Sequence, residues 1–96
     1  MTPFCFQVAV STDDATGDVL AVYFHVRKGK VHRTLEFADG NVFADYDRKG
    51  QLLGIELLGP CNVSIVDKLA PKESVEIRKR TKRFMKQAGP PAMVAA

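Results

Sequence analysis

Five stretches between Phe4 and Leu58 alternate apolar and polar residues with a period of two, and after Gly59-Pro60 the period lengthens to that of a helix. A strand shows alternate side chains to opposite faces, so each stretch reads as a half-buried strand. Phe4, Phe6, Val8 and Val10 share one face of the first, and Leu20, Val22, Phe24 and Val26 one face of the second. Residues 31–37, 42–47 and 52–58 continue the pattern. Turn chemistry separates them at 12–17, Lys28-Gly29, Asp39-Gly40 and Arg48-Lys49-Gly50. Short strands joined by glycine-containing turns predict an antiparallel five-stranded β-meander.

Two hairpins can be put in register. A turn at Asp39-Gly40 opposes Phe37 to Val42, Leu35 to Ala44 and Arg33 to Tyr46. A turn at Lys28-Gly29 likewise opposes Val26 to Val31 and Phe24 to Arg33. Both choices gather the large apolar residues on one face, and a slip of one residue would invert them. On the outward face this register sets His25 opposite His32, and His32 opposite Asp47. Two imidazoles and a carboxylate are a ligand set for zinc or ferrous iron. The plainer reading is three polar residues on the wet side of a sheet. Val19, Phe43 and Leu58 also point outward, an apolar strip that fits contact with a second copy of the chain.

Beyond Pro60, Ser64-Ile65-Val66-Asp67 has the form of a capping box, opening a short helix that Pro71 stops. A longer amphipathic helix is predicted from Glu73 to Ala88, with Ile77, Thr81, Phe84, Met85 and Ala88 on one face. This C-terminal helix is the only long element able to cover the sheet. The fold class is therefore α+β in one domain, 1–96, with the sheet over 4–59, a helical segment over 60–89 and a loose tail over 90–96.

Residues 72–96 carry seven Lys/Arg against two Asp/Glu, whereas residues 1–71 have a net charge of −2. Six of those cations, Arg78, Lys79, Arg80, Lys82, Arg83 and Lys86, fall within nine residues of the helix. They form a candidate surface for an acidic protein or a phosphate backbone, or simply a solvated face. No helix-turn-helix, RNP-type aromatic motif or zinc finger accompanies them.

Nucleophile elbow, P-loop, HExxH and Rossmann glycine patterns are all missing, so neither catalysis nor a cofactor is expected. Cys5 and Cys61 belong to no CxxC pair and read as reduced thiols. Asp13, Asp14 and Asp18 are turn residues without calcium-loop spacing. No apolar run approaches the ~20 residues of a membrane span, and Met1-Thr2-Pro3-Phe4 lacks the basic start of a secretory signal. A cytoplasmic protein without membrane contact is the expectation.

The stretch from Asp45 to Leu58, DYDRKGQLLGIELL, resembles the D-x-D-x-x-G-x-L-x-G-I-E-I-L signature of a family of small bacterial proteins numbered 2283 among the domains of unknown function. Residues 13–23 resemble that family's D-x-x-x-D-x-L-Y-I opening, with Ala21 where leucine is common. The resemblance spans roughly residues 6–60 and implies the strand-turn-strand order rather than an activity. Some members are encoded beside toxin-like proteins, which implies an antitoxin or interaction role. In physical terms, Gly50 supplies a positive φ to a turn, and Gly54, inside a strand, marks a bulge or a close approach. The functional expectation is a non-catalytic protein-interaction module that forms homo-oligomers. Its alternative is a nucleic-acid-binding or antitoxin-like regulator using the basic helix.

Overall fold

The computed structural model describes residues 4–95; Met1, Thr2, Pro3 and Ala96 lie outside them. Strands β1 (Phe4–Thr12), β2 (Val19–Arg27), β3 (Arg33–Phe37), β4 (Val42–Tyr46) and β5 (Leu52–Leu57) form one sheet. All neighbouring pairs are antiparallel, in the order β1-β2-β5-β4-β3. The β3–β4 hairpin has the expected register: Arg33 faces Tyr46, Leu35 faces Ala44 and Phe37 faces Val42.

The second expected hairpin does not form. β2 pairs with β5, setting Val22 against Leu57 and Phe24 against Ile55, while residues 28–32 carry the chain to the far edge of the sheet. The reason lies in the side chains of the two competing strands. Leu52, Leu53, Gly54, Ile55 and Leu57 are all buried, which requires a strand on either side of β5. In β3, by contrast, Arg33, Thr34, Leu35 and Glu36 are exposed, as suits an edge. The link 28–32 passes over Leu53, so close that a Cβ on Gly29 would lie 2.8 Å from Leu53 Cδ2.

One face of the sheet is covered by the helical segment. Helix α1 (Val66–Leu69) follows a 3-10 turn at 63–65, and α2 (Val75–Ala88) lies across the sheet. Met85 and Thr81 of α2 are buried. Phe84 packs edge-on to Phe24, with ring centroids 5.4 Å apart, and against Phe6 at 5.0 Å. Ser74 Oγ accepts from the Ile77 N–H and caps α2, and the Thr81 hydroxyl donates to the Ile77 carbonyl. Ser64 caps neither turn nor helix. Asn62 takes that role by accepting from the Ser64 N–H at 2.8 Å, and Asp67 reaches across to α2 instead of back along its own turn.

Glu73 lies just before α2 rather than in its first turn. It is drawn out by Arg27, whose guanidinium is buried and donates to Glu73 at 2.9 Å and to the Leu52 carbonyl at 3.2 Å. The Leu52 N–H donates to Glu73 in turn, and Arg27 stacks over the Phe4 ring at 4.7 Å. A buried charge needs this degree of pairing to be tolerated.

The tail expected to be loose over 90–96 is built into the fold as far as Ala95, Ala96 lying outside the described residues. Val94–Ala95 (β7) pairs in parallel with Cys61–Asn62 (β6), the Cys61 N–H donates to the Met93 carbonyl at 2.8 Å, and Met93 is buried. Burial of the Met93 side chain and the hydrogen bond from the Cys61 amide hold this segment in place.

Candidate interaction surface

On the uncovered face, the Tyr23 ring lies flat across β5. Its hydroxyl donates to Asp45 on β4 at 2.6 Å, and the Thr34 hydroxyl on β3 donates to the other carboxylate oxygen. The ring can cross only because position 54 has no side chain: a Cβ there would sit 2.5 Å from Tyr23 Cζ. Burial first, then the Asp45 carboxylate, holds the Tyr23 hydroxyl far above the ordinary tyrosine range. Asp47 closes the next turn, one oxygen accepting from the Lys49 and Gln51 amides at 2.9 Å each, with Gly50 at φ +82. Asp45, Asp47, Gly50 and Gly54 are thus accounted for by architecture. Three strands are tied by one carboxylate.

The histidine row does not assemble as a trio: β5 and β4 stand between β2 and β3 and keep His25 apart, while His32 and Asp47 line one cleft. His25 faces Gly54 and Gln7, and its ring packs on Tyr23 with centroids 4.4 Å apart. His32 belongs to the link 28–32, and Asp47 is engaged by its own turn. Among the described residues no three His, Cys, Asp or Glu side chains converge as a metal site. Cys5 and Cys61 are free and half-buried, and burial pushes the Cys61 thiol up, away from thiolate.

The helix cations divide. Arg78 and Lys82 bind the two oxygens of Asp67, at 3.3 and 2.7 Å. Lys79, Arg80, Arg83 and Lys86 are exposed on α2.

The expected apolar strip is also redistributed. Val19 turns to pack on the core, where the β1–β2 register slips between Ser11 and Thr12. Phe43 is half-buried between Glu36 and Glu56, and Leu58 alone of the three is exposed. A larger apolar exposure lies elsewhere. Val8 and Val10 pair with Phe24 and Val22, on the helix-covered face, yet α2 does not reach them. Val8, Val10 and Leu20 are 37, 46 and 53 % exposed. They adjoin the outer edge of β1, which pairs with no strand among the described residues. This edge runs for 9 residues, FCFQVAVST, with no charge and no proline. The opposite edge, β3, has 5 residues and includes Arg33 and Glu36. The sequence carried this signal in the absence of any charge from Phe4 to Thr12, but it becomes an edge only once the strand order is known.

The two ends of the sheet are oppositely charged. At one end, the link 28–32 and the turn 47–51 line a cleft with Lys28, Lys30, His32, Arg48 and Lys49, Asp47 being its one carboxylate. At the other end, the β1–β2 turn carries Asp13, Asp14 and Asp18, and the β3–β4 hairpin carries Glu36 and Asp39. Asp13 accepts from the Ala15 and Thr16 amides, which hold its carboxyl below the ordinary range.

Residues 14–59, the segment from the first turn through β5, match the family described as protein of unknown function (DUF2283). β1 and the helical end fall outside the match. Comparison with curated proteins and with solved structures returns no match.

Proposed function

We propose that this chain is a non-catalytic protein-interaction module that associates with a second copy of itself through the outer edge of β1. The observation that supports it is the unprotected edge: a strand of 9 residues without charge or proline, beside the bare corner of Val8, Val10 and Leu20. Unpaired amides and carbonyls on such an edge are a template for another strand, and proteins that stay monomeric blunt them with Lys, Pro or a short strand. No helix among the described residues is long and apolar enough to cross a membrane. The two unbridged thiols suit a reducing compartment, the cytoplasm of a bacterium on this reading.

The alternative, a nucleic-acid-binding or antitoxin-like regulator, draws on exposed Lys79, Arg80, Arg83 and Lys86. The engagement of Arg78 and Lys82 by Asp67 weighs against it. Light scattering coupled to gel filtration at tens of micromolar separates the two. The expected mass is twice the 10.6 kDa of one chain. Val10→Lys, which charges the exposed edge, is expected to give a monomer with an unchanged circular dichroism spectrum. A wild-type monomer overturns the reading, and retention by duplex DNA at physiological salt would favour the alternative.

A further inference from the structure

We infer that two copies join antiparallel along β1, about a two-fold axis perpendicular to the sheet, so that the acidic turn of each docks beside the basic link of the other. The inference rests on the edge reading above and specifies the partner surface. An exposed edge can pair parallel or antiparallel, and the charges decide between the two. Parallel pairing sets Asp13, Asp14 and Asp18 beside their own copies, and Lys28 and Lys30 likewise. Antiparallel pairing sets each acidic turn beside the opposite link, because Phe4 at the start of β1 lies against Arg27, and Thr12 at its end lies against Val19. Within one chain the two ends cannot neutralise each other. A strand of 9 residues separates them by about 30 Å, several Debye lengths at physiological salt.

Packing gives the same orientation independently. α2 covers the Phe6 end of β1 and leaves the Val8–Val10 end bare. Beside α2, a shallow groove is lined by Phe6, Arg80, Arg83, Phe84 and Gln87. Full antiparallel overlap of the two strands sets Val8 opposite its own copy and Phe6 opposite the partner's Val10. The bare corner of each copy then meets the groove of the other. Parallel pairing of the same edge turns one copy over, so the helical layers fall on opposite faces and each bare corner stays uncovered. The axis perpendicular to the sheet also keeps both helical layers on one side, so the two sheets become one of ten strands with continuous faces.

Charge exchange tests the orientation. Asp14 and Asp18 are the acidic positions to change, since Asp13 holds its own turn. Sedimentation velocity would compare wild type, Lys28→Glu/Lys30→Glu, Asp14→Lys/Asp18→Lys and an equimolar mixture of the two variants. Each variant alone faces like charge at both contacts and is expected to dissociate at least about tenfold more readily. Their mixture restores opposite charges at both contacts and is expected to form a heterodimer about as tight as wild type, weakening with salt. A wild-type dimer whose affinity neither charge reversal nor salt alters would overturn this orientation while leaving the edge reading intact. Variants that stay apart when mixed would also overturn it, and a monomeric wild type would overturn both.

Discussion

Replacing Gly54 by alanine should destabilise the fold, and the cost should depend on the presence of Tyr23. An added Cβ would lie 2.5 Å from Tyr23 Cζ and 2.6 Å from Cε1, and real atoms cannot share that space. The ring cannot slide aside cheaply, because its hydroxyl is tied to Asp45 at 2.6 Å and its edge packs on His25. Displacing it forfeits a hydrogen bond to a charged acceptor, about 1.5–3 kcal/mol. Against this, alanine restricts the unfolded chain and returns about 0.4–1 kcal/mol. The net expectation for Gly54→Ala is a loss of about 1–2 kcal/mol, or roughly 4–15 °C in Tm for a domain of this size.

The informative comparison is the double-mutant cycle. With Tyr23→Ala already in place the space over β5 is empty, so adding Gly54→Ala should be neutral or slightly stabilising. Urea unfolding followed by far-ultraviolet circular dichroism would measure all four proteins. The coupling should be about 1–3 kcal/mol, well beyond the few tenths by which independent sites deviate from additivity. Additive single-mutant costs would refute the argument. Gly54 would then be required by its backbone and not by the ring that crosses it.

Two further expectations follow from buried polar groups. Both tyrosines, Tyr23 and Tyr46, have hydroxyls raised by burial, so the folded state holds their protons more tightly than the unfolded chain. Stability should be level below the ordinary tyrosine range near pH 10 and fall as the pH rises beyond it, with tyrosinate absorbance at 295 nm rising together with unfolding; Tyr23→Phe should flatten the fall, and ionisation near pH 10 in a folded protein would contradict the burial. Removing Glu73 as Glu73→Ala should cost about 3–5 kcal/mol in urea unfolding, because Arg27 would stay buried without its partner, while Arg27→Met/Glu73→Leu should recover much of the loss.

What the sequence made legible is local, and what it hid depends on the order of strands. The β3–β4 register followed from one turn and the alternation around it, since Phe37, Leu35 and Arg33 had only one consistent way to meet Val42, Ala44 and Tyr46. The partner of β2 could not be found in that way. Phe24 presents the same apolar face to Arg33 as to Ile55, and only the burial demand of β5 on both its sides decides between them. His25 left the histidine row with that choice, since its place relied on β2 lying beside β3, whereas His32 and Asp47 still line one cleft. Arg27–Glu73 escaped notice because the two residues are 46 positions apart and neither lies in a motif.

The charge separation was present in the sequence in a form that net charge conceals. Successive turns alternate in sign: Asp13, Asp14 and Asp18 in the first, Lys28 and Lys30 in the link, Asp39 in the next, Arg48 and Lys49 in the last. In this strand order every pair of consecutive strands runs in opposite directions, so alternate turns lie at the same end and this alternation gathers acids at one end and bases at the other. The excess of +5 in residues 72–96 drew attention to the helix instead, where Asp67 engages two of the cations. Lys28, Lys30, Arg48 and Lys49 form no ion pair among those described, and neither do Lys79, Arg80, Arg83 and Lys86 of α2, whereas Arg27, Arg78 and Lys82 do. What distinguishes the cations at the sheet end is that acids gather at the opposite end of the same sheet, so a reversed second copy would offer them a partner. On the proposed reading, the interaction surface is the end of the sheet beside which the β1 edge begins.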